Sequence, residues 1–222
     1  GDRRDENAWN MYDEPEQLHR LMGWLSREHM NYICWCEENG ILSINNRNGY
    51  TGSGGVAYTT ELPAGDWKQG TNVRLKDLWG FAESQETVGV SPDMFGTFIF
   101  PYQLPLLEKF GLNCYGCCEA VHERWQWIGR IPRLRRVSVS PWCDQEKMAR
   151  FMGGKHIFSR KPNPTMICAQ FNEREIRDDI RKTVGIAGRT PLEIVMKDTH
   201  TVQNQPWRIS KWVQIAIEEA AR

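Results

Sequence analysis

The chain lacks an excess of charge of either sign, and it also lacks any long hydrophobic run. Lysine plus arginine number 28 and aspartate plus glutamate number 28 among its 222 residues. A chain without net charge has no general electrostatic attraction to nucleic acid or to anionic membrane surfaces. No apolar run approaches the ~20 residues needed to cross a bilayer, and the charged start GDRRDEN is not a secretory signal. We therefore expect a cytoplasmic protein without nucleic-acid or membrane partners.

Several catalytic and nucleotide-binding motifs are also missing. No GxSxG elbow occurs, which argues against Ser-His-Asp chemistry. The glycine run GSGG at 52–55 lacks the lysine of a phosphate-binding loop and the strand–helix frame of a dinucleotide fingerprint. The arginines of RIPRLRR at 130–136 are interpreted as a solvated connection. Seven cysteines, an odd number, without a signal peptide indicate reduced thiols rather than a disulfide framework.

Apolar periodicity predicts helices that alternate with short strands. The first helix is predicted at Pro15–Glu38, with Gly40 as its stop. Ser91 is a predicted N-cap, and Asn172 begins a capping box. The five predicted strands lie at 41–45, 112–117, 135–140, 156–159 and 192–196, and the later helices lie at 91–111, 119–128, 144–151, 172–186 and 206–221.

This alternation predicts an α/β architecture in a single domain that spans residues 1–222. Strands separated by helices are joined as parallel neighbours through right-handed crossovers, which gives a layered or barrel arrangement. Residues 46–90 interrupt the alternation and are rich in glycine and polar groups. We interpret them as a long inserted loop, a feature that is usually functional in a compact domain.

The segment NCYGCCE at 113–119 combines two adjacent thiols and a carboxylate where a predicted strand passes into a loop. In parallel α/β sheets, catalytic groups and metal ligands gather at this edge. Thiolates and carboxylates bind zinc, so Cys117, Cys118 and Glu119 are candidate metal ligands. If the extended geometry persists, Tyr115, Cys117 and Glu119 face the same side. The alternative is that cysteines on a buried strand are simply small apolar residues.

The loop KDTHTVQ after the last predicted strand contains a second set of candidates. His200 lies at the carboxyl end of that strand, where an imidazole can bind metal or act as an acid or base near neutral pH. The alternative is a surface histidine. Lys197 and Asp198 are interpreted either as a simple ion pair or as substrate contacts.

Further candidate site residues lie after another predicted strand and within the inserted segment. Arg160 and Lys161 in SRKPNP follow a predicted strand and can bind a substrate carboxylate or phosphate, although adjacent basic residues in a loop are often merely solvated. Glu83 is a carboxylate within the apolar run LWGFAESQ, which favours a position at the site.

The ordered succession of these segments resembles a known family. Over residues 14–45 and 77–222 the chain resembles the carboxyl-terminal part of the uroporphyrinogen decarboxylase superfamily. The segments that carry the resemblance are, in order, SPDMFGTFIFPYQLPLLEKFG, NCYGCCE, a strand ending in SPW, HIFSRKPNP and KDTHT. The superfamily includes the decarboxylase of haem biosynthesis and corrinoid-dependent methyltransferases. The resemblance implies a TIM-type (β/α)8 barrel of which only the last five βα units are visible. We expect a fragment, a shortened relative, or an assembly such as a homo-oligomer that supplies the missing barrel segment.

The methyltransferase branch implies a zinc site and a corrinoid carried by a partner protein. In that branch a His-x-Cys pair and a later Cys hold zinc, which activates the methyl-accepting thiol. Here Tyr115 stands at the His position, Cys117 at the Cys position and His200 near the late Cys position. Methyl transfer is therefore the leading hypothesis. The alternatives are a tetrapyrrole decarboxylase-type lyase, in which His200 assists proton transfer, and a non-catalytic corrinoid-protein partner.

The resemblance and the sequence pattern together assign a role to each candidate residue. The predicted catalytic residues are His200 and Glu83, the predicted substrate contacts are Tyr115, Arg160, Lys161 and Asp198, and the predicted metal ligands are Cys117, Cys118, Glu119 and His200.

Overall fold

The computed structural model describes residues 10–222, which contain a parallel sheet of five strands. The strands lie side by side in the order in which they occur in the sequence, and every neighbouring pair is parallel. The prediction of an α/β fold with parallel strands is therefore confirmed. The strands are β1 Trp79–Ala82, β2 Leu112–Tyr115, β3 Leu134–Val139, β4 Ile157–Arg160 and β5 Leu192–Ile194.

Helices precede, separate and follow the strands, and the helix at Pro15–Glu38 has the bounds that the sequence predicted. We number them α1 Pro15–Glu38, α2 Pro92–Phe98, α3 Phe100–Leu107, α4 Trp125–Ile128, α5 Gln145–Met152, α6 Thr165–Cys168, α7 Glu173–Ala187 and α8 Trp207–Ala220. The single helix predicted at 91–111 is two helices. Pro101 has no N–H to donate to the carbonyl four residues earlier, so the helical hydrogen bonds are interrupted where α2 meets α3. None of the helices within residues 10–222 combines the length and apolar character that a membrane span requires.

The predicted strand at 41–45 is wrong, since these residues form no ladder. Instead, the Asn45 side chain bonds both backbone groups of Trp79: its Nδ2 donates to the carbonyl at 3.2 Å, and its Oδ1 accepts from the amide at 2.9 Å. The strand at this side of the sheet is β1, which lies inside the predicted insertion at 46–90. The interpretation of that whole segment as a loop is therefore also wrong.

The two faces of the sheet differ in polarity because side chains alternate along each strand. One face packs against the helices through Val137, Val139 and Phe158, which belong to the largest apolar cluster. The opposite face carries Arg136 and Ser138, both buried. We call residues 51–56 the glycine loop, and this loop covers the polar face.

Candidate functional site

Cys117 and Cys118 lie just beyond β2, at the carboxyl edge of the sheet. The strand ends because Gly116 adopts a φ of 95°, a value that side chains rarely allow. A Cβ at Gly116 would also lie 2.8 Å from a methyl group of Val121. The chain therefore turns at this glycine, and the predicted continuation of the strand to Cys117 is wrong.

Two residues from the loop after β5 meet these cysteines. The Nζ of Lys197 donates to the Sγ of Cys117 at 3.0 Å and to the Sγ of Cys118 at 3.5 Å. The two sulfurs are 3.8 Å apart, and the thiol of Cys118 donates to Oδ2 of Asp198 at 3.6 Å. We call Cys117, Cys118, Lys197 and Asp198 the thiol cluster. It joins the loops that follow β2 and β5, as expected for the carboxyl edge of a parallel sheet.

The two cysteines of the thiol cluster differ in their surroundings. Burial acts to lower the pKa of Lys197, but hydrogen bonding and charge interaction with Cys117 outweigh it, so the pKa is raised. Burial and then the neighbouring Cys117 raise the pKa of Cys118 to about 11. Cys118 therefore keeps its proton near neutral pH. Cys117 makes the shorter contact with the ammonium group, which makes it the candidate nucleophile of the pair.

Glu119 is buried and holds the backbone of the site in place. Its Oε2 accepts from the amide of Cys117 at 2.8 Å, and its Oε1 accepts from the amide and hydroxyl of Ser84 at 2.7 and 3.1 Å. Arg124 donates to the same Ser84 hydroxyl at 2.8 Å. With these three donors in place, Glu119 positions the Cys117 loop, and it is not brought to the two sulfurs as the sequence predicted.

Tyr115 points away from the thiol cluster. Its hydroxyl donates to Oε1 of Gln103 at 2.8 Å, and its ring lies in the main apolar cluster. Burial raises its pKa. The turn at Gly116 ends the strand alternation, so the Cys117 sulfur does not share a face with Tyr115, whereas Tyr115 and the Glu119 carboxylate both lie beside Ser84.

Glu83 lies near the site but has its own surroundings. Its Oε2 accepts from the amide of Gln85 at 2.9 Å, and its carbonyl accepts from Nε2 of Gln103 at 2.8 Å. Burial raises the pKa of this carboxyl group, and the charge of Glu119 acts in the same direction. Glu83 also lines a cavity of about 270 Å³ together with His29. A carboxyl group with a raised pKa at a cavity wall can act as an acid or base.

The remaining predicted residues separate in space. His200 is exposed, and within residues 10–222 its side chain makes no hydrogen bond or ion pair with another residue. Arg160 turns toward the helical side, where it donates to the carbonyl of Ser140 at 3.1 Å and lies 3.5 Å from Asp179. Lys161 points to the polar face instead. The sequence placed Arg160 and Lys161 in one anchor, but adjacent residues on a strand face opposite sides.

The predicted metal ligands do not come together as a set. Within the described part of the chain, no three His, Cys, Asp or Glu side chains form a group suited to a metal ion. Glu119 is engaged by Ser84 and by the Cys117 amide, and the ammonium group of Lys197 contacts both sulfurs. Among the described residues, the charged side chains that contact the two cysteine sulfurs are therefore those of Lys197 and Asp198.

An open cavity gives access to Cys118. It has a volume of about 400 Å³, and the residues that line it are Gln85, Glu86, Val88, Cys118, Glu119, Ala120 and Trp142. This volume lies within the range of small-molecule sites, roughly 300–1,000 Å³. The thiol cluster therefore borders a space that a substrate can enter.

Lys197 and Arg136 are the functional residues that the sequence assigned least well. The sequence left Lys197 either as an ion-pair partner of Asp198 or as a substrate contact; it lies 3.5 Å from Asp198, but its contact with the two cysteines was not predicted. Arg136 was interpreted as solvated, but it is 3% exposed and stacks over the ring of Trp79 at 5.0 Å. Its alternation with Val137 on a predicted strand was the available signal.

Comparison with known proteins adds no relative from which roles can be transferred. No protein-family model matches the chain, and no curated protein matches it. The arrangement of the residues themselves therefore carries the functional argument.

Proposed function

We propose that the chain is a uroporphyrinogen decarboxylase-like protein of the corrinoid-dependent methyltransferase type, with the thiol cluster as its reactive centre. The contact of Lys197 with both cysteine sulfurs, at the carboxyl edge of a parallel sheet, carries this proposal. The sequential strand order is also that of a (β/α) barrel. In the proposal, further barrel strands come from additional polypeptide or from a second copy of the chain, and closing the barrel would displace Asn45 from the edge of β1.

The chemistry that the cluster supports is methyl transfer to sulfur. A thiolate lone pair on Cys117 attacks the methyl carbon, and the bond from that carbon to the donor breaks with its electron pair left on the donor. A methylated corrinoid on a partner protein would supply the methyl group and keep that electron pair. Lys197, 3.0 Å from the Cys117 sulfur, stabilises the thiolate before attack. Glu119 holds the Cys117 amide in place during the reaction.

Zinc enters the proposal at the two cysteines. Thiolate is a preferred zinc ligand, and Cys117 and Cys118 would be the residues that hold the ion. The sulfurs of Cys117 and Cys118 have a separation of 3.8 Å, and Asp198 is an adjacent carboxylate. Zinc binding would require the ammonium group of Lys197 to leave its contacts with the sulfurs. The ion would then stabilise the thiolate in place of Lys197.

Methylcobalamin provides a direct test. The protein is incubated with it under reducing conditions, and mass spectrometry locates any added methyl group while absorbance follows the cobalamin. We expect methylation of Cys117, its loss in Cys117→Ser and a lower rate in Lys197→Met. Cys34→Ser is the matched control, because Cys34 lies in α1 and outside the thiol cluster. An unmodified wild-type protein with unchanged methylcobalamin would contradict the proposal.

Two further measurements distinguish the alternatives. Metal analysis of wild type and Cys117→Ser decides whether zinc belongs to the cluster. Titration with a carboxylated tetrapyrrole, followed by absorbance, tests the lyase in which His200 assists proton transfer. Tetrapyrrole binding without methyl transfer would favour that lyase, and binding of a corrinoid protein without either reaction would favour a non-catalytic partner.

A further inference from the structure

The polar face of the sheet holds two buried cations that the proposed methyl transfer does not use. Arg136 on β3 and Lys161 after β4 are 3% and 2% exposed. Glu193 on β5 is their nearby carboxylate: its Oε1 lies 2.8 Å from Nε of Arg136 and accepts from the hydroxyl of Ser159. Lys161 donates to that same Ser159 hydroxyl. One chain of contacts thus connects both cations to one carboxylate.

The charges in this group do not balance. Among the described residues, Glu193 is the carboxylate in contact with the group, whereas Arg136 and Lys161 contribute two positive charges when both are protonated. The charge of Lys197 also reaches Lys161. Burial raises the pKa of the nearby Cys114 to about 12, so this thiol supplies no negative charge near neutral pH. Buried charge without a partner is costly, and an added anion would reduce that cost.

The guanidinium group of Arg136 has donors that an anion can take. Its NH1 donates to the hydroxyl of Thr51 and its NH2 to the carbonyl of Val56, both at 2.6 Å. Its Nε is close to Glu193, but the N–H is not aligned with a carboxylate oxygen and has no hydrogen-bond acceptor. NH2 also donates to Oε2 of Glu193 at 3.3 Å, but the two shorter hydrogen bonds of the guanidinium group go to neutral oxygens of the glycine loop. Charged acceptors form stronger hydrogen bonds with guanidinium than neutral ones do.

The glycine loop lies across these cations as a cover. Gly52 and Gly54 have φ values of 88° and 76°, and a Cβ at these positions would lie 2.3 Å from the ring of Phe81 and 2.9 Å from a methyl group of Val195. The loop therefore has no room for a side chain at Gly52, beside Phe81 of β1, or at Gly54, beside Val195 after β5. Ser53 touches Ser138 on the sheet, with their hydroxyl oxygens 3.2 Å apart.

We propose that Arg136 and Lys161 form a binding site for the oxyanion group of a small ligand beneath the glycine loop, separate from the thiol cluster. The oxyanion replaces the Thr51 and Val56 oxygens at the guanidinium group and accepts a hydrogen bond from Lys161. The loop moves outward to admit it. This site does not depend on methyl transfer. The bound anion balances the second positive charge of the group, which Glu193 alone does not compensate.

Calorimetric titration with inorganic phosphate and, separately, with acetate tests the site at about neutral pH in chloride buffer. Arg135→Met is the matched control, since Arg135 is the neighbouring residue on β3 but has a partly exposed side chain that pairs with Glu61. We expect at least one anion to bind wild type and Arg135→Met equally. In Arg136→Met and Lys161→Met the affinity should fall by about tenfold or more, because a charged hydrogen bond is lost. Preference between phosphate and acetate identifies the oxyanion class.

Proton uptake gives a second measurement that does not depend on the arginine variant. Above about pH 8, where burial has lowered the pKa of Lys161 to about 8, an arriving anion raises that pKa and the amine takes up a proton. Titrations in two buffers with different ionisation enthalpies measure this uptake, which Lys161→Met should abolish. The groups facing Lys161 are Glu193, Cys114, Arg136 and Lys197, and Arg135→Met leaves all of them in place. No binding of either anion, or equal weakening in Arg135→Met and Lys161→Met, overturns the proposal.

Discussion

Lys161→Met isolates the energetic cost of one buried amine. Burial lowers the pKa of Lys161 from 10.5 to about 8 in the folded protein. Methionine keeps an unbranched side chain of similar length in the same space but carries no titratable group. The variant therefore removes one ionisation while leaving the other charged residues of the polar face unchanged.

The sign of the pH effect follows from the lowered pKa. Between about pH 8 and 10.5 the unfolded chain holds a proton on this lysine more often than the folded chain does. Below this window the burial of the ammonium group destabilises the folded wild type by its full cost. As the pH rises through the window that cost decreases, so the free energy of unfolding of wild type rises. That full cost is about 3 kcal/mol, and about 1 kcal/mol of it disappears between about pH 7 and pH 9.

Urea denaturation of wild type and Lys161→Met at several pH values measures this change. The free energy of unfolding of wild type should rise relative to the variant by about 1 kcal/mol from about pH 7 to pH 9. Taking the difference cancels the titration of Cys114 and Cys118, whose raised pKa values lower stability above about pH 9 in both proteins. Lys155→Met serves as the control, because Lys155 is exposed. A difference between wild type and Lys161→Met that stays constant with pH would refute the reasoning.

Three further outcomes are expected. Lys197→Met should slow alkylation of Cys117 by iodoacetamide at neutral pH by about tenfold, whereas Lys197→Arg should retain most of the rate; equal rates in all three proteins would show that the ammonium does not stabilise the thiolate. Glu119→Gln should lower the free energy of unfolding by about 2 kcal/mol, because a neutral amide replaces a buried carboxylate that accepts three hydrogen bonds; urea denaturation with an unchanged midpoint would contradict this. Gly52→Ala should destabilise the fold by about 2 kcal/mol more than Gly70→Ala, since both glycines have positive φ but only Gly52 lacks room for a Cβ. Thermal unfolding of the two variants separates steric overlap from backbone strain, and equal losses of stability would exclude overlap.

Local signals in the sequence were sufficient for the helix starts and for the fold class. The side chain of Ser91 accepts from the amide of Met94 at 3.2 Å, and that of Asn172 accepts from the amides of the first turn of α7. Capping depends on residues close in sequence, so these predictions are confirmed. The α/β alternation is confirmed for the same reason.

The first strand could not be found in this way. β1 has only four residues and lies in a segment dominated by turns. Residues 41–45 have a comparable apolar pattern, and the choice between the two is made by pairing with β2 across a long sequence separation. Short apolar runs carry too little local information to decide such pairing.

The composition of the candidate site was likewise only partly predictable. The cysteines and their position at a strand end were evident from the sequence, whereas their contact with Lys197 depends on how the loop after β5 folds back across the edge. Which of two adjacent basic residues enters the polar face depends on the exact register, and a shift of one position would exchange Arg160 for Lys161. Sequence periodicity alone does not fix that register.

The paired hydrogen bonds of Asn45 to Trp79 make one edge of the sheet less accessible to a further strand than the other. An incoming strand that docks beside β1 would need the same amide and carbonyl that this amide side chain already occupies. Such a strand must first displace Asn45, so that side resists edge-to-edge association as a capped end would. β5 has β4 as its sheet neighbour within the described residues, and any additional strand meets less competition there. A single asparagine thus makes the two ends of the sheet unequal as sites of assembly.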